Sequence, residues 1–207
     1  MAWDSMRKFL ARENTWSSDQ YHTGELVLTN TCWDDMRVSL NAGRLPASNY
    51  PAWAQIADDG AASTGIFGYS FDDGEYIFIT TQMSHRYVLN SAIHPHIHYH
   101  VTTNSDPADN FGIGLEFAWV DINGTLGNTT VYEREISTGV NQANIHKLAE
   151  IPTTSVTGSG AGVSSLFIAR LYRYAATSDN YADPIIIMSF DLHYEVDMLG
   201  SRLEYSK

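Results

Sequence analysis

His94, His96, His98 and His100 occupy alternate positions in the run His94-Pro95-His96-Ile97-His98-Tyr99-His100-Val101, and they are four of the chain's eight histidines. Side chains on an extended strand alternate between its two faces. The spacing therefore predicts one face of imidazoles and an opposite, mostly apolar face made by Ile93, Pro95, Ile97, Tyr99 and Val101. Such a strand is half-buried and antiparallel, with its polar face open to a partner, an ion or water. Imidazole nitrogens ligate zinc, nickel, copper or iron, so His96 with His98, or His98 with His100, can chelate one ion from a single face. Asp191, His193 and Glu195 repeat the alternation, opposite Phe190, Leu192 and Tyr194. If the two polar faces adjoin, an ion or a histidine–carboxylate network becomes feasible. The favoured reading of His94, His96, His98, His100, Asp191 and His193 is a subunit interface, since a fold-level pattern confers no activity. Unperturbed imidazoles titrate near pH ~6.5, so on that reading mild acid weakens the assembly.

Other chemistry is less well supported. His-x-His on a β-sandwich resembles the metal-binding cupins, but those carry a Glu a few residues on, where this chain has Thr102, Thr103, Asn104 and Ser105. Ser164, Ser165, Ser189 and Cys32 are available nucleophiles, and none sits in a Gly-x-Ser-x-Gly elbow. Gly158-Ser159-Gly160-Ala161-Gly162 has the composition of a phosphate loop without the Lys-Ser/Thr that would complete it. Tyr50 and Trp53 are the best-placed pair for stacking a sugar, although Trp53 pinning its own loop and Trp33 and Trp119 lying in the core is the expected arrangement. Asp34-Asp35, Asp58-Asp59 and Asp72-Asp73 lack the spacing of a calcium loop and read as solvated turns.

The chain has 207 residues, enough for one large β-domain. Acids outnumber bases 24 to 12, which argues against a nucleic-acid partner, because phosphate binding needs a basic face. The single cysteine, Cys32, has no disulfide or CxxC partner and reads as a buried or half-buried small side chain. No run approaches the ~18 apolar residues of a membrane span, so no membrane partner is expected. The first residues lack the apolar core of a signal peptide, so folding in a cytosol is expected.

Two kinds of element must position these residues. Trp3, Met6, Phe9 and Leu10 fall at helical spacing within residues 3–12, capped by Asp4 or Ser5. A helix so short must dock on something, and with the polar stretch up to residue 23 it makes an N-terminal helix and arm (1–23). From residue 24 the period changes to two. Strands are expected at 25–29, 33–40, 65–71, 75–82, 93–103, 111–121, 129–137, 145–151, 163–174 and 184–196. Residues 41–64 read as one long loop, and Asp72-Asp73-Gly74 as a hairpin turn. Ten strands with almost no helix predict an all-β protein, an antiparallel jelly-roll β-sandwich over 24–207.

The later part of the chain carries a family resemblance. Ser165–Arg173, Phe190-Asp191-Leu192-His193-Tyr194-Glu195-Val196-Asp197 and Gly200-Ser201-Arg202-Leu203-Glu204-Tyr205 resemble the ending of a group of uncharacterised tailed-bacteriophage virion proteins. Trp33-Asp34-Asp35 and Pro95-His96-Ile97-His98 match two earlier motifs of that group. The resemblance implies a jelly-roll virion component, trimeric and without enzyme activity. The expectation is a homotrimeric capsid decoration or cement protein. Trp3, Met6, Phe9 and Leu10 would dock on the major capsid protein or other virion proteins. The alternatives are a tail, neck or fibre-head protein that touches glycans through Tyr50 and Trp53, and a cupin-like metalloenzyme. No cofactor is expected beyond a structural metal ion at the histidine strand.

Overall fold

The computed structural model describes residues 27–60, 65–201 and 203–206. Ten strands run through them: β1 (Val27–Val38), β2 (Ala52–Ala57), β3 (Ile66–Phe71), β4 (Tyr76–Gln82), β5 (Ile93–Val101), β6 (Asn110–Val120), β7 (Thr130–Ser137), β8 (Lys147–Glu150), β9 (Leu166–Tyr174) and β10 (Ile185–Met198). One 3-10 turn, Leu40–Ala42, is the only helical element among the described residues. The expected helix with Trp3, Met6, Phe9 and Leu10, and the boundary at residue 24, lie outside them.

The strands form two antiparallel sheets. The first has the order β2-β3-β10-β5-β8, with β1 also pairing β10; the second has the order β4-β9-β6-β7. β10 is long enough to pair β3 through Ile185–Ile187 and β1 through Phe190–Met198, while β5 lies along its other edge. One apolar core unites the sheets: Phe71, Ile97, Tyr99 and Phe190 from the first with Ile77, Phe111, Leu115 and Leu171 from the second. Tyr99 meets Phe111 edge-on across the gap, at 5.2 Å between ring centroids. On β6 the inward residues Phe111, Ile113, Leu115 and Phe117 alternate with Gly112, Gly114, Glu116 and Ala118.

Five expectations are corrected. Asp72-Asp73-Gly74 is not a hairpin turn, because β3 and β4 on either side of it lie in different sheets. Residues 25–29 and 33–40 do not form two strands: β1 runs continuously through Val27–Val38, with a register shift between Val27 and Cys32. Residues 41–64 are not one loop, because Ala52-Trp53-Ala54-Gln55-Ile56-Ala57 adds a strand to β3. Backbone pairing with an edge supplies what its alanine-diluted pattern does not announce. Trp33 is not core; it is 57% exposed, because its parity on β1 puts it on the outer face. Cys32 is exposed, not buried.

Arg173 is the largest fully buried side chain among the described residues and explains how the turns at one end are held. Its guanidinium donates to the carbonyls of Phe71 (2.8 Å), Asp183 (2.7 Å) and Tyr181, and Nε lies 2.8 Å from Asp73 Oδ1, an ion pair whose angle falls short of a hydrogen bond. Arg170, three residues earlier, faces outward beside Glu116 at 2.8 Å.

Candidate histidine–carboxylate site

The polar faces of β5 and β10 do adjoin. His94 lies opposite His193 and His96 opposite Asp191, while β1 brings Asp35 opposite His193. Ile93, Pro95, Ile97, Tyr99 and Val101 are all buried toward the core, so the histidines look away from it. A one-residue irregularity sets this phase. Between Ile187 (opposite Tyr99) and Ser189 (opposite His98), Met188 is extra. Such a bulge re-aims every residue beyond it, so Ile187 and Phe190 both point inward and Ser189, Asp191 and His193 point outward.

Asp191 is 3% exposed and sits at the centre. Its Oδ1 accepts from Ser189 Oγ at 2.9 Å and lies 3.7 Å from Arg37 Nε. Its Oδ2 lies 3.1 Å from His98 Nε2 and 3.7 Å from His96 Nε2. The two imidazoles are held from behind: His96 Nδ1 is 3.2 Å from the His94 carbonyl, and His98 Nδ1 is 2.7 Å from His146 Nε2. On the outer side His193 Nε2 lies 2.6 Å from Asp35 Oδ1, and the His193 ring is 4.2 Å from that of His96. Burial, opposed by the His94 carbonyl, pushes the His96 imidazole below its ordinary range and favours the neutral ring. Trp33 stands edge-on to His94 at 5.2 Å.

The predicted residues thus separate. His94, His96, His98, Asp191 and His193 form one cluster. His100 lies further along β5, opposite Ile186, with Nδ1 3.1 Å from the Val101 carbonyl. Tyr50 and Trp53 are each 51% exposed. Trp53 stacks on Phe67 (6.2 Å, 15°) and meets Tyr69 edge-on at 5.0 Å, walling a cleft of about 140 Å³ with Arg37, Asn41 and Ser189. Tyr50 does not line that cleft. Sequence reasoning missed Asp35, Arg37, His146 and Ser189 as members of the site. Asp35 was visible within Trp33-Asp34-Asp35, but the signal that would have placed it is strand pairing, not spacing.

The paired carboxylates find ordinary partners: Asp34 with Arg86 at 2.9 Å and Tyr194 at 3.1 Å, Asp58 with the Gly60 amide at 2.7 Å, and Asp73 with Arg173. Ser164 has φ 64° and Oγ 3.0 Å from His85 Nε2, the spacing of a hydroxyl beside a base. The amides of Ser164 and Ser165 are spent on the carbonyls of Met83 and Gly162, so neither is free to serve as an oxyanion donor. His85 Nδ1 turns to Ser201 Oγ at 2.5 Å, not to a carboxylate, and the three side chains tie the C-terminal segment to the residues after β4.

No protein-family model matches the chain, and no curated protein matches it. Among solved structures, it is similar to one from infectious bursal disease virus (Gx strain), at a TM-score of 0.30 and 11% identity over 70% of this chain and 37% of that one. It is also similar to the enzymatically active domain of tailspike protein 4 of bacteriophage CBA120, at a TM-score of 0.29 and 9% identity over 81% of this chain and 20% of that one. The chain spans well under half the length of either. Similarity at this level carries no functional weight.

Proposed function

We propose that this chain is a bacteriophage virion structural protein with a jelly-roll fold, a homotrimeric decoration protein that cements the capsid. Strand order is the observation that carries the reading. β3 to β10 are arranged as β3-β10-β5-β8 and β4-β9-β6-β7, the arrangement that two Greek keys produce. Jelly rolls serve capsid, lectin and cupin domains alike. The motifs that resemble tailed-phage virion proteins choose among these. Three of them, on β1, β5 and β10, lie on contiguous strands and build one site.

The surface also suits assembly. Phe78, Ile168, Ala118 and Leu126 share a hollow of about 240 Å³ on the outer side of the second sheet, and Phe78, Ile168 and Leu126 are exposed. Contiguous exposed apolar surface marks interaction sites. A cement protein resists outward pressure by burying area across neighbouring capsomers, about 1,000 Å² or more for stable attachment. The cupin-like reading finds less support, because the histidines face away from the gap between the sheets, which Ile97, Tyr99 and Phe111 fill.

Imaging particles assembled with and without the chain tests the proposal. Added density at threefold positions on the head is expected, and it should vanish when residues 1–20, with Trp3, Met6, Phe9 and Leu10, are deleted. Particles that never carry the chain would overturn the proposal; decoration that persists after the deletion would refute the N-terminal docking. A second reading, a fibre-head protein that stacks glycans, is favoured by one observation, the exposed Trp53–Phe67 stack beside a polar cleft. A glycan-array signal lost in Trp53→Ala would select it.

A further inference from the structure

We infer that His96, His98 and Asp191 form a binding site for one divalent transition-metal ion of the zinc class on the outer face of the first sheet. This goes beyond the virion role and does not depend on it.

Three ligand atoms converge. One ring nitrogen each from His96 and His98 and an Asp191 carboxylate oxygen all lie within 4.8 Å of one another. Two of the separations are 3.7 and 3.1 Å, from Asp191 Oδ2 to His96 and His98 respectively. A tetrahedral ion with bonds of about 2.0–2.2 Å separates its ligands by roughly 3.3 Å, so small side-chain rotations close the site. Two neutral nitrogens and one carboxylate are a donor set that suits zinc, cobalt or nickel better than calcium or magnesium.

Proton placement points the same way. A carbonyl accepts but does not donate, so the contact from His96 Nδ1 to the His94 carbonyl puts the ring proton on Nδ1. Nε2 of the neutral ring then presents a lone pair. That atom is buried, has no hydrogen-bond partner, and faces Asp191 Oδ2, another acceptor. A cation between them satisfies both. With the ring proton of His98 on Nδ1, shared with His146 Nε2 at 2.7 Å, His98 Nε2 presents a lone pair as well, while Ser189 occupies Asp191 Oδ1 and leaves Oδ2 to the imidazoles. Outer partners that fix the ring proton and the carboxylate in this way are what metal ligands carry. The next donors are His193 and Asp35, which with His96 make a second overlapping triad.

Untagged protein, stripped with a chelator and dialysed, is titrated with zinc by calorimetry and with cobalt by visible absorption. One ion per chain is expected, at micromolar or tighter affinity, with the cobalt spectrum of a four-coordinate site and a rise in melting temperature. His98→Gln and Asp191→Asn should each weaken binding about 100-fold, and Ser189→Ala, acting through Asp191, about tenfold. His100→Gln, on the same strand but outside the cluster, should leave it unchanged. His98 is partly exposed, so its variant keeps the test alive if Asp191→Asn fails to fold. Absent or non-saturating uptake, or equal uptake by His98→Gln, would overturn the assignment and leave a proton, not a metal, between Asp191 and the two imidazoles.

Discussion

At the scale of residues, buried polar groups decide more than their number suggests. Arg173 is 1% exposed and serves three carbonyls and Asp73. Truncation strands the buried carbonyls of Phe71 and Tyr181, and at about 1–3 kcal/mol for each unsatisfied acceptor the loss is about 2–6 kcal/mol. Arg173→Ala should therefore lower the free energy of unfolding by that amount in a urea titration, while outward-facing Arg170→Ala should cost less than about 1 kcal/mol. Tyr99 is 2% exposed, and burial pushes its phenol up to about 12. The unfolded chain releases that proton near pH ~10, whereas the folded chain keeps it to about 12. The stabilisation is complete below pH ~10 and is lost as pH rises toward 12. Tyr99→Phe should match the native protein at pH 7 and be relatively better by about 2 kcal/mol at pH 11.5, as read from denaturant curves at the two pH values. The histidine alternation was plain in the sequence because spacing along one strand is a local property. Its partners Asp35 and His146 were not, since the first is brought by pairing with β10 and the second precedes β8.

At the scale of elements, one inserted residue and two glycines set what faces where. Met188 is 39% exposed and makes no core contribution, yet its presence puts Asp191 outside and Phe190 inside. Met188→Ala should change stability by less than about 1 kcal/mol. Deleting Met188 removes the bulge and forces either Asp191 or the Ile185–Ile187 segment into the wrong face, so cooperative unfolding should disappear from the thermal melt. On β6, Gly112 and Gly114 lie beneath Tyr174 and Tyr172; a Cβ at Gly114 would come within 2.0 Å of the Tyr172 ring. Tyr172 reaches over it to donate to Glu133 Oε1 at 2.7 Å. Gly114→Ala should cost about 1–3 kcal/mol through overpacking, measured by chemical denaturation, and Tyr172→Ala should relieve part of that cost in the double variant. Strands with strong alternation, such as β4, β6 and β9, were legible from their own residues. β2 was not, because Ala52, Ala54 and Ala57 blur its period and its strand character comes from the edge of β3. The bulge was invisible for the same reason: only the partner strand shows which residue is extra.

At the scale of the whole molecule, all-β architecture in two antiparallel sheets followed from the count of period-two segments and their turns. Which strand joins which sheet did not, because strand exchange between sheets is a long-range choice with no signal in a window of ten residues. The exposed apolar residues Trp33, Trp53, Phe78, Ile168 and Leu126 are the reverse case. Residue type alone does not separate them from core residues; parity and strand position decide that they are exposed among the described residues. The trimer proposed above would bury such faces. Sedimentation equilibrium of the full chain at micromolar concentration is the most direct test of the trimeric virion role. A single species with the mass of three 23.1-kDa chains is the predicted result, and a monomer persisting across the concentration range would contradict it.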